Sequence, residues 1–325
     1  MKIVVIGLGS MGRRRVRLIK KYNDSYKIIG VDLSEERRTL SENEFGIETN
    51  ESLESVIKNN EINCAMICTS PLSHSKLISL CLKNDMHVFT ELNLVTDGYD
   101  ENIQLAKEKN KILFLSSTFL HRAEIKKINS LVKEQDKMLN YTYHIGQYLP
   151  DWHPWENYKD FFVGDKRTNG CREIFAIELP WLIEVFGDIK DFIVRKSKIS
   201  SLNIDYDDNY MVIFEHESGH KGMVSIDVVS RKSVRNLEIY GENLYLSWDG
   251  SAKGLKMMDI KNKREDHILL YEKVDQLNQY SSFVVENAYY DEIESFFDVI
   301  EKDIVLIYNF EKDKKILKLI DRIEA

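Results

Sequence analysis

Residues 1–33 read MKIVVIGLGSMGRRRVRLIKKYNDSYKIIGVDL, a strand, a glycine turn, a helix and a second strand. Lys2–Ile6 is a short apolar run rich in β-branched residues, as a strand buried on both faces requires. It leads into Gly7-Leu8-Gly9-Ser10-Met11-Gly12, a G-x-G-x-x-G turn. One glycine permits the tight turn, one the close approach of a pyrophosphate to the backbone, and one the packing of helix on strand. The helix that follows presents amides and the positive end of its dipole to a diphosphate. A second apolar run, Lys27–Val31, ends at Asp32, twenty residues past Gly12 (32 − 12). A carboxylate there suits both hydroxyls of an adenosine ribose. Its charge repels a 2′-phosphate, so NAD is favoured over NADP. Arg37 and Arg38 are either solvated helix residues or hooks that turn back to a phosphate.

At 325 residues the chain is comfortable for two domains, and its 43% hydrophobic and 30% charged content is that of a soluble globular protein. A net charge of −8 gives no electrostatic reason to bind nucleic acid or an acidic membrane surface. The four cysteines, Cys64, Cys68, Cys81 and Cys171, lack C-x-x-C spacing. Cys64 and Cys68 read as small buried hydrophobes. The first strand starts at residue 2 and no eighteen-residue apolar span occurs, so a cytoplasmic protein is expected. The eight histidines are scattered without H-E-x-x-H or a Cys/His cluster, and no metal site is expected.

Beyond Asp32, apolar strand-like runs alternate with helical stretches as far as Lys133. This order predicts a doubly wound parallel sheet with right-handed crossovers, a Rossmann-type domain. Ligands of such sheets lie at the carboxyl ends of the strands. Those ends carry Gly7–Gly12, Asp32, Thr69-Ser70-Pro71 with His74, and Glu91-Leu92-Asn93. The candidate cofactor residues are therefore Gly7, Leu8, Gly9, Ser10, Met11, Gly12, Asp32, Thr69, Ser70, Pro71, His74, Glu91 and Asn93. From about Met138 the pattern becomes a series of alternating strands with hairpin breaks at Ser218-Gly219-His220 and Asp249-Gly250. One helix, Glu173–Phe186, interrupts it and closes at Gly187. The expected architecture is α/β: a Rossmann domain over 1–121, and over 122–325 an α+β domain with a large, mostly antiparallel open sheet. The final helix is expected to pack back on the first domain.

The stretch 149–181 holds three of the four prolines (Pro150, Pro154, Pro180) and three of the four tryptophans (Trp152, Trp155, Trp181). Its prolines forbid regular helix or central strand around Tyr148–Trp155. Rings in such a segment either wall a sugar or nicotinamide pocket or fill a domain boundary.

With these pieces in order, the chain resembles the glucose–fructose oxidoreductase / inositol dehydrogenase / MocA family along its whole length. The likeness rests on Gly7–Gly12, Asp32, Thr69-Ser70-Pro71 with His74, the acid-led tripeptide at Glu91, Arg122, and a helix ending Val185-Phe186-Gly187. It implies an NAD(P)-dependent oxidoreductase acting on a sugar, sugar nucleotide, cyclitol or related carbonyl compound. It also implies a homodimer or homotetramer joined through the outer face of the second sheet.

Two departures bear on chemistry. Family members usually carry Glu-Lys-Pro after the fifth strand, with the lysine serving proton transfer; here the tripeptide is Glu91-Leu92-Asn93. The family's D-x-x-x-H on the second-domain helix aligns with Glu173 and Ile177, and no histidine lies between His153 and His216. Hydride transfer belongs to the cofactor, but one proton must still move. The catalytic candidates are His153, Tyr148 and Glu173; Trp152, Trp155, Arg172, Arg122 and Glu178 are candidates for the substrate. Each has a structural alternative: a loop histidine bonded to backbone, a packed ring, a helix-start acid, an arginine paired inside the fold. Arg231 and Arg235 are also in reach of an anionic substrate, or are ordinary strand arginines. The missing lysine and histidine leave two alternatives open: a regulatory dinucleotide-binding protein, and an enzyme reducing a conjugated double bond.

Overall fold

Short strands joined by helices build the first sheet of the computed structural model, which describes every residue except 154–155, 278–280, 282 and 303. The strands are β1 (Lys2–Ile6), β2 (Lys27–Val31), β3 (Glu48–Asn50), β4 (Cys64–Ile67), β5 (His87–Thr90) and β6 (Leu113–Leu115). The intervening helices are α1 (Ser10–Tyr22), α2 (Glu35–Phe45), α3 (Leu53–Asn59), α4 (Pro71–Lys83) and α5 (Tyr99–Glu108). The sheet order is β3-β2-β1-β4-β5-β6, and every pairing is parallel. Parallel strands need crossovers, and the helices supply them. Ser34 and Ser52 cap α2 and α3 through their hydroxyls, and Pro71 occupies the first turn of α4, where its missing N–H costs nothing.

The chain divides into two compact units, Met1–Ser117 with Tyr289–Lys318, and Thr118–Ala288 with Leu319–Ala325. This division returns residues 289–318 to the first unit, where a continuous split after residue 121 leaves them in the second. Within unit 1, Ile3, Val5, Leu8, Val16, Ile19, Met66, Phe89 and Phe114 are buried together with Ile293, Phe296 and Phe297 of a later helix, α8 (Glu286–Lys302). The stacked Phe89 and Phe114 rings both meet Phe296 edge-on. At roughly 1.5–3 kcal/mol per buried large apolar side chain, this cluster outweighs any single polar contact in the unit.

Unit 2 contains α6 (Ala123–Lys133), β7 (Asn140–Gly146), α7 (Gly170–Phe186), β8 (Ile189–Ser197), β9 (Asn209–His216) and β10 (Lys221–Asp227). It continues with β11 (Val234–Tyr240), β12 (Tyr245–Trp248), β13 (Lys256–Asp259) and β14 (Arg264–His267). The order is β14-β13-β12-β11-β7-β10-β9-β8; β7 and β10 pair in parallel and the other neighbours antiparallel. Tyr141, Tyr143 and Ile145 of β7 are buried on one face, with Tyr143 meeting Trp181 of α7 edge-on. The opposite face leaves Ile193, Met211, Ile213 and Met223 more than half exposed. The last helix, α9 (Phe310–Glu324), ends the chain.

The α/β class with one parallel and one mostly antiparallel sheet is as the sequence predicts. The expected start of α7 at Glu173 moves to Gly170, because Asn169 caps the helix by accepting the Arg172 N–H at 2.8 Å. Gly219 turns β9 into β10 at φ 88°, as expected of the hairpin. The Asp249-Gly250 break opens the longer connection from β12 to β13.

Candidate functional site

The three loop glycines are distinguished by what a side chain would meet. Gly7 sits at φ 88°, and a Cβ there would lie 2.7 Å from the Cys68 carbonyl oxygen. At Gly12 it would lie 1.8 Å from the Gly7 carbonyl oxygen, so α1 packs on its strand only through a glycine. At Gly9 the nearest atom is Arg37 Nη1, 3.9 Å away. The turn and packing roles belong to Gly7 and Gly12, and Gly9 is where the backbone stands open. The open backbone at Gly9 stands at the head of α1, which starts at the next residue, Ser10, where a helix N-terminus favours an anionic group. Leu8 is wholly buried, whereas Ser10 is exposed and Met11 half-buried.

Asp32 ends β2 beside this opening. Its Oδ2 accepts the Leu8 N–H at 2.7 Å and its Oδ1 the Ser34 N–H at 2.8 Å. Arg37 Nη1 stands 3.8 Å from Oδ2, while Arg38 Nη1 donates to the carbonyls of Asp32 and Leu33. Arg38 therefore pins the loop instead of lying loose in solvent.

The ends of β4 and β5 form one hydrogen-bonded group. Thr69 Oγ1 lies 2.7 Å from Ser73 Oγ, which donates to the Ser70 carbonyl. Buried His74 places Nε2 at 2.9 Å from the Thr69 carbonyl oxygen and Nδ1 at 2.6 Å from Asn93 Oδ1. Burial holds its pKa below the usual histidine value. Glu91 clasps the Arg15 guanidinium at 2.6 and 3.1 Å. Arg15 is itself fully buried and also donates to Glu292 and Ser116. Leu92, the residue in the lysine position, is half-buried.

In unit 2 the sequence candidates separate. Arg172 ion-pairs with Asp321 and Glu324. Arg122 pairs with buried Glu124 and donates to the carbonyls of Gly250 and Phe283. Glu178 is wholly buried and accepts from Tyr143 Oη, Trp181 Nε1 and Arg235. These three side chains, expected to face a substrate, serve the packing of unit 2: each charge is matched inside the fold, where an unpaired charge is too costly.

Glu173 differs from them. Its Oε2 is buried with no hydrogen-bond partner among the described residues. Burial pushes its carboxyl up to about 7, with the Arg235 charge acting the other way. His153 shares Nδ1 with Glu156 Oε1 at 2.7 Å and stacks on Phe161. Trp152 donates its indole N–H to the Gln147 carbonyl at 3.1 Å. Tyr148 has the Arg231 guanidinium over its ring at 3.6 Å. Trp155 lies outside the described residues. Among the described residues, no three His, Cys, Asp or Glu side chains are grouped to hold a metal ion. No helix among them is long and apolar enough to cross a membrane. Arg231, which the sequence left either in reach of an anionic substrate or an ordinary strand arginine, lies over Tyr148, a pairing with no local signal.

A parallel sheet in this order with an open second glycine and an acid at the end of β2 defines a dinucleotide-binding Rossmann unit. Residues 1–117 match the model of the Gfo/Idh/MocA family, described as an oxidoreductase family with an NAD-binding Rossmann fold. Myo-inositol 2-dehydrogenase of Thermotoga maritima is 28% identical over 136 residues, a match spanning 41% of this chain and 41% of that protein. Levoglucosan dehydrogenase, in complex with NADH and L-sorbose, superposes with a TM-score of 0.81 at 13% identity over 99% of this chain and 95% of its own. Biliverdin reductase of Synechocystis sp. PCC 6803, with biliverdin and NADP+, gives 0.76 at 16% identity over 99% and 97%. At such identities these likenesses establish the fold.

Proposed function

We propose that the chain is an NAD-dependent oxidoreductase moving a hydride to or from a carbohydrate-like substrate: a sugar, sugar nucleotide or polyol. The observation that carries this reading is the open backbone at Gly9 set beside the carboxylate of Asp32. The backbone of Gly7–Gly12 would hold the diphosphate and Asp32 the adenosine ribose, with Thr69–Pro71, His74, Glu91 and Asn93 forming the rest of the rim. When bound, the nicotinamide supplies or receives the hydride. The substrate class is carried over from the inositol and levoglucosan dehydrogenases to which the chain is similar.

The protein must move one proton, and Leu92 and Ile177 carry none. Glu173 is the group best equipped for it. It lies in the first turn of α7, holds a proton near neutrality and has an oxygen uncommitted among the described residues. His153 and Tyr148 are the alternatives, although His153 is engaged at the surface by Glu156. The half-exposed row Ile193, Met211, Ile213 and Met223 supports a homodimer or homotetramer formed through that face. Four unpaired cysteine thiols accord with a cytoplasmic setting.

Leu92 favours one second reading. Reduction of a conjugated double bond needs no lysine, and biliverdin reductase shares the fold. Calorimetric titration with NADH and NAD, followed by a turnover screen of inositols, free sugars, uronates and nucleotide sugars, tests both. Folded protein that binds neither coenzyme ends the proposal; turnover of conjugated tetrapyrroles alone selects the second reading.

A further inference from the structure

The arginines of unit 2 differ in what they are joined to. Arg122, Arg172 and Arg235 are each buried or nearly so and each held by a carboxylate: Glu124, the Asp321–Glu324 pair and Glu178. Arg231 is exposed, and among the described residues no carboxylate lies within ion-pair distance of it or of the adjoining, equally exposed Lys232. Its guanidinium carbon lies over the Tyr148 ring, 3.6 Å from the centroid. A cation on an aromatic face keeps its in-plane N–H donors pointing outward, which is the presentation that bidentate oxyanion recognition needs.

The position of Arg231 is fixed from beneath. Asp227, at the end of β10, accepts the N–H groups of Val229 and Ser230 at 2.9 and 2.7 Å and the Ser230 hydroxyl at 3.0 Å. His144 on β7 adds a fourth contact at 2.8 Å. These bonds hold the Asp227 carboxyl below its ordinary pKa, against the effect of burial, so the turn keeps its anchor in the neutral range. The Leu149 N–H donates to the Val228 carbonyl at 2.9 Å, tying the Arg231 turn to the loop that carries Tyr148. That loop also carries Trp152, whose ring would sit 3.4 Å from a Cβ at Gly170, the first residue of α7. The cation, the tyrosine, the tryptophan and the first turn of α7 thus belong to one wall of unit 2, three residues from Glu173.

We infer that Arg231, held over Tyr148, recognises an oxyanion on the substrate, so that the preferred substrate is an acidic sugar bearing a carboxylate or a phosphate. This rests on the carbohydrate reading above and narrows it. A neutral polyol would leave the Arg231 guanidinium, which no carboxylate among the described residues pairs, without a counter-charge. A charge-assisted bidentate contact is worth about 10-fold or more in affinity.

The experiment is a fluorescence titration of the full chain, saturated with NAD, using glucose, glucuronate and glucose 6-phosphate, alongside an independent NADH titration. The expected result is that one of the two anions binds at least about 10-fold tighter than glucose, the winner telling carboxylate from phosphate. Arg231→Gln is expected to bring that ratio below about 3-fold, and Arg231→Lys to retain part of it. Equal binding of all three sugars, no binding of any, or a ratio that survives Arg231→Gln overturns the inference. Failure of NADH to bind would instead defeat the oxidoreductase reading. Since Arg231 is exposed, an unchanged thermal melt of the variants excludes a folding artefact.

Discussion

Glu91 and Arg15, 76 positions apart, meet through two hydrogen bonds of 2.6 and 3.1 Å, and the guanidinium is completely buried while it does so. The charge of Arg15 is tolerable because Glu91 and Glu292 both face it, and their charges hold its pKa above the ordinary arginine value although burial pulls the other way. Its ring contacts with Phe89 and Tyr289 fix the plane. The pair therefore joins the acid at the end of β5 to the helix that leaves the glycine loop.

Removing one side of this pair leaves a buried charge short of a partner. Glu91→Ala is expected to destabilise the protein by about 2–4 kcal/mol, Glu292 still supplying part of the compensation. Urea unfolding followed by circular dichroism gives the number. Unchanged stability would show that Glu292 alone suffices.

The two glycines of the loop should behave oppositely. Gly9 has open space around its Cβ position and φ −69°, so Gly9→Val is expected to fold normally and to give no heat with NADH. Gly12→Ala places a carbon 1.8 Å from a carbonyl oxygen and is expected to cost about 3 kcal/mol or more. Thermal melts beside calorimetry separate the two effects; a Gly9→Val protein that binds NADH as before removes the proposed diphosphate contact.

Glu173 makes stability depend on pH in a defined direction. Its folded pKa, about 7, lies above the ordinary glutamate value of 4.5, so the folded state holds the proton more tightly than the unfolded chain. Stability should then fall as pH rises from about 4.5 through about 7, because the unfolded state releases the proton first. Glu173→Gln removes that loss and should be roughly 1–3 kcal/mol more stable than the parent at pH 8. The same variant should lose about 10²–10⁴ in turnover if Glu173 moves the proton. Retained turnover in Glu173→Gln together with a loss in His153→Asn or Tyr148→Phe would reassign the role.

The outer face of the second sheet presents Ile193 directly opposite Ile213, which in turn faces Met223 across three neighbouring strands. Ile213→Lys should shift the sedimentation of the protein toward the monomer and leave the melt of unit 2 little changed. A wild-type protein that sediments as a monomer at micromolar concentration contradicts the proposed assembly.

What the amino-acid order reveals, and what it hides, follows from the range of the interactions. Helix α6 is legible at both ends because its apolar positions recur at helical spacing inside polar flanks. Strand β14 is not, since Arg264-Glu265-Asp266-His267 has no apolar face and becomes a strand only by pairing with β13. The glycine fingerprint and Asp32 are legible because their chemistry is local. Ion-pair partners are not: Arg15 and Glu292 are separated by 277 positions, and nothing near either residue specifies the other. The same blindness made Arg172 and Glu178 resemble substrate ligands and left Arg231 undecided between an anion contact and an ordinary strand arginine.

Asp32 reaches the ligand's side of the loop already immobilised, with a backbone amide on each carboxylate oxygen. The rotamer entropy of that side chain was surrendered when the chain folded, so a nucleoside bound there, as proposed, would meet a stationary receptor and lose little on its account. Freeing the carboxylate from Ser34 or Leu8 would slacken the receptor without deleting a single charge.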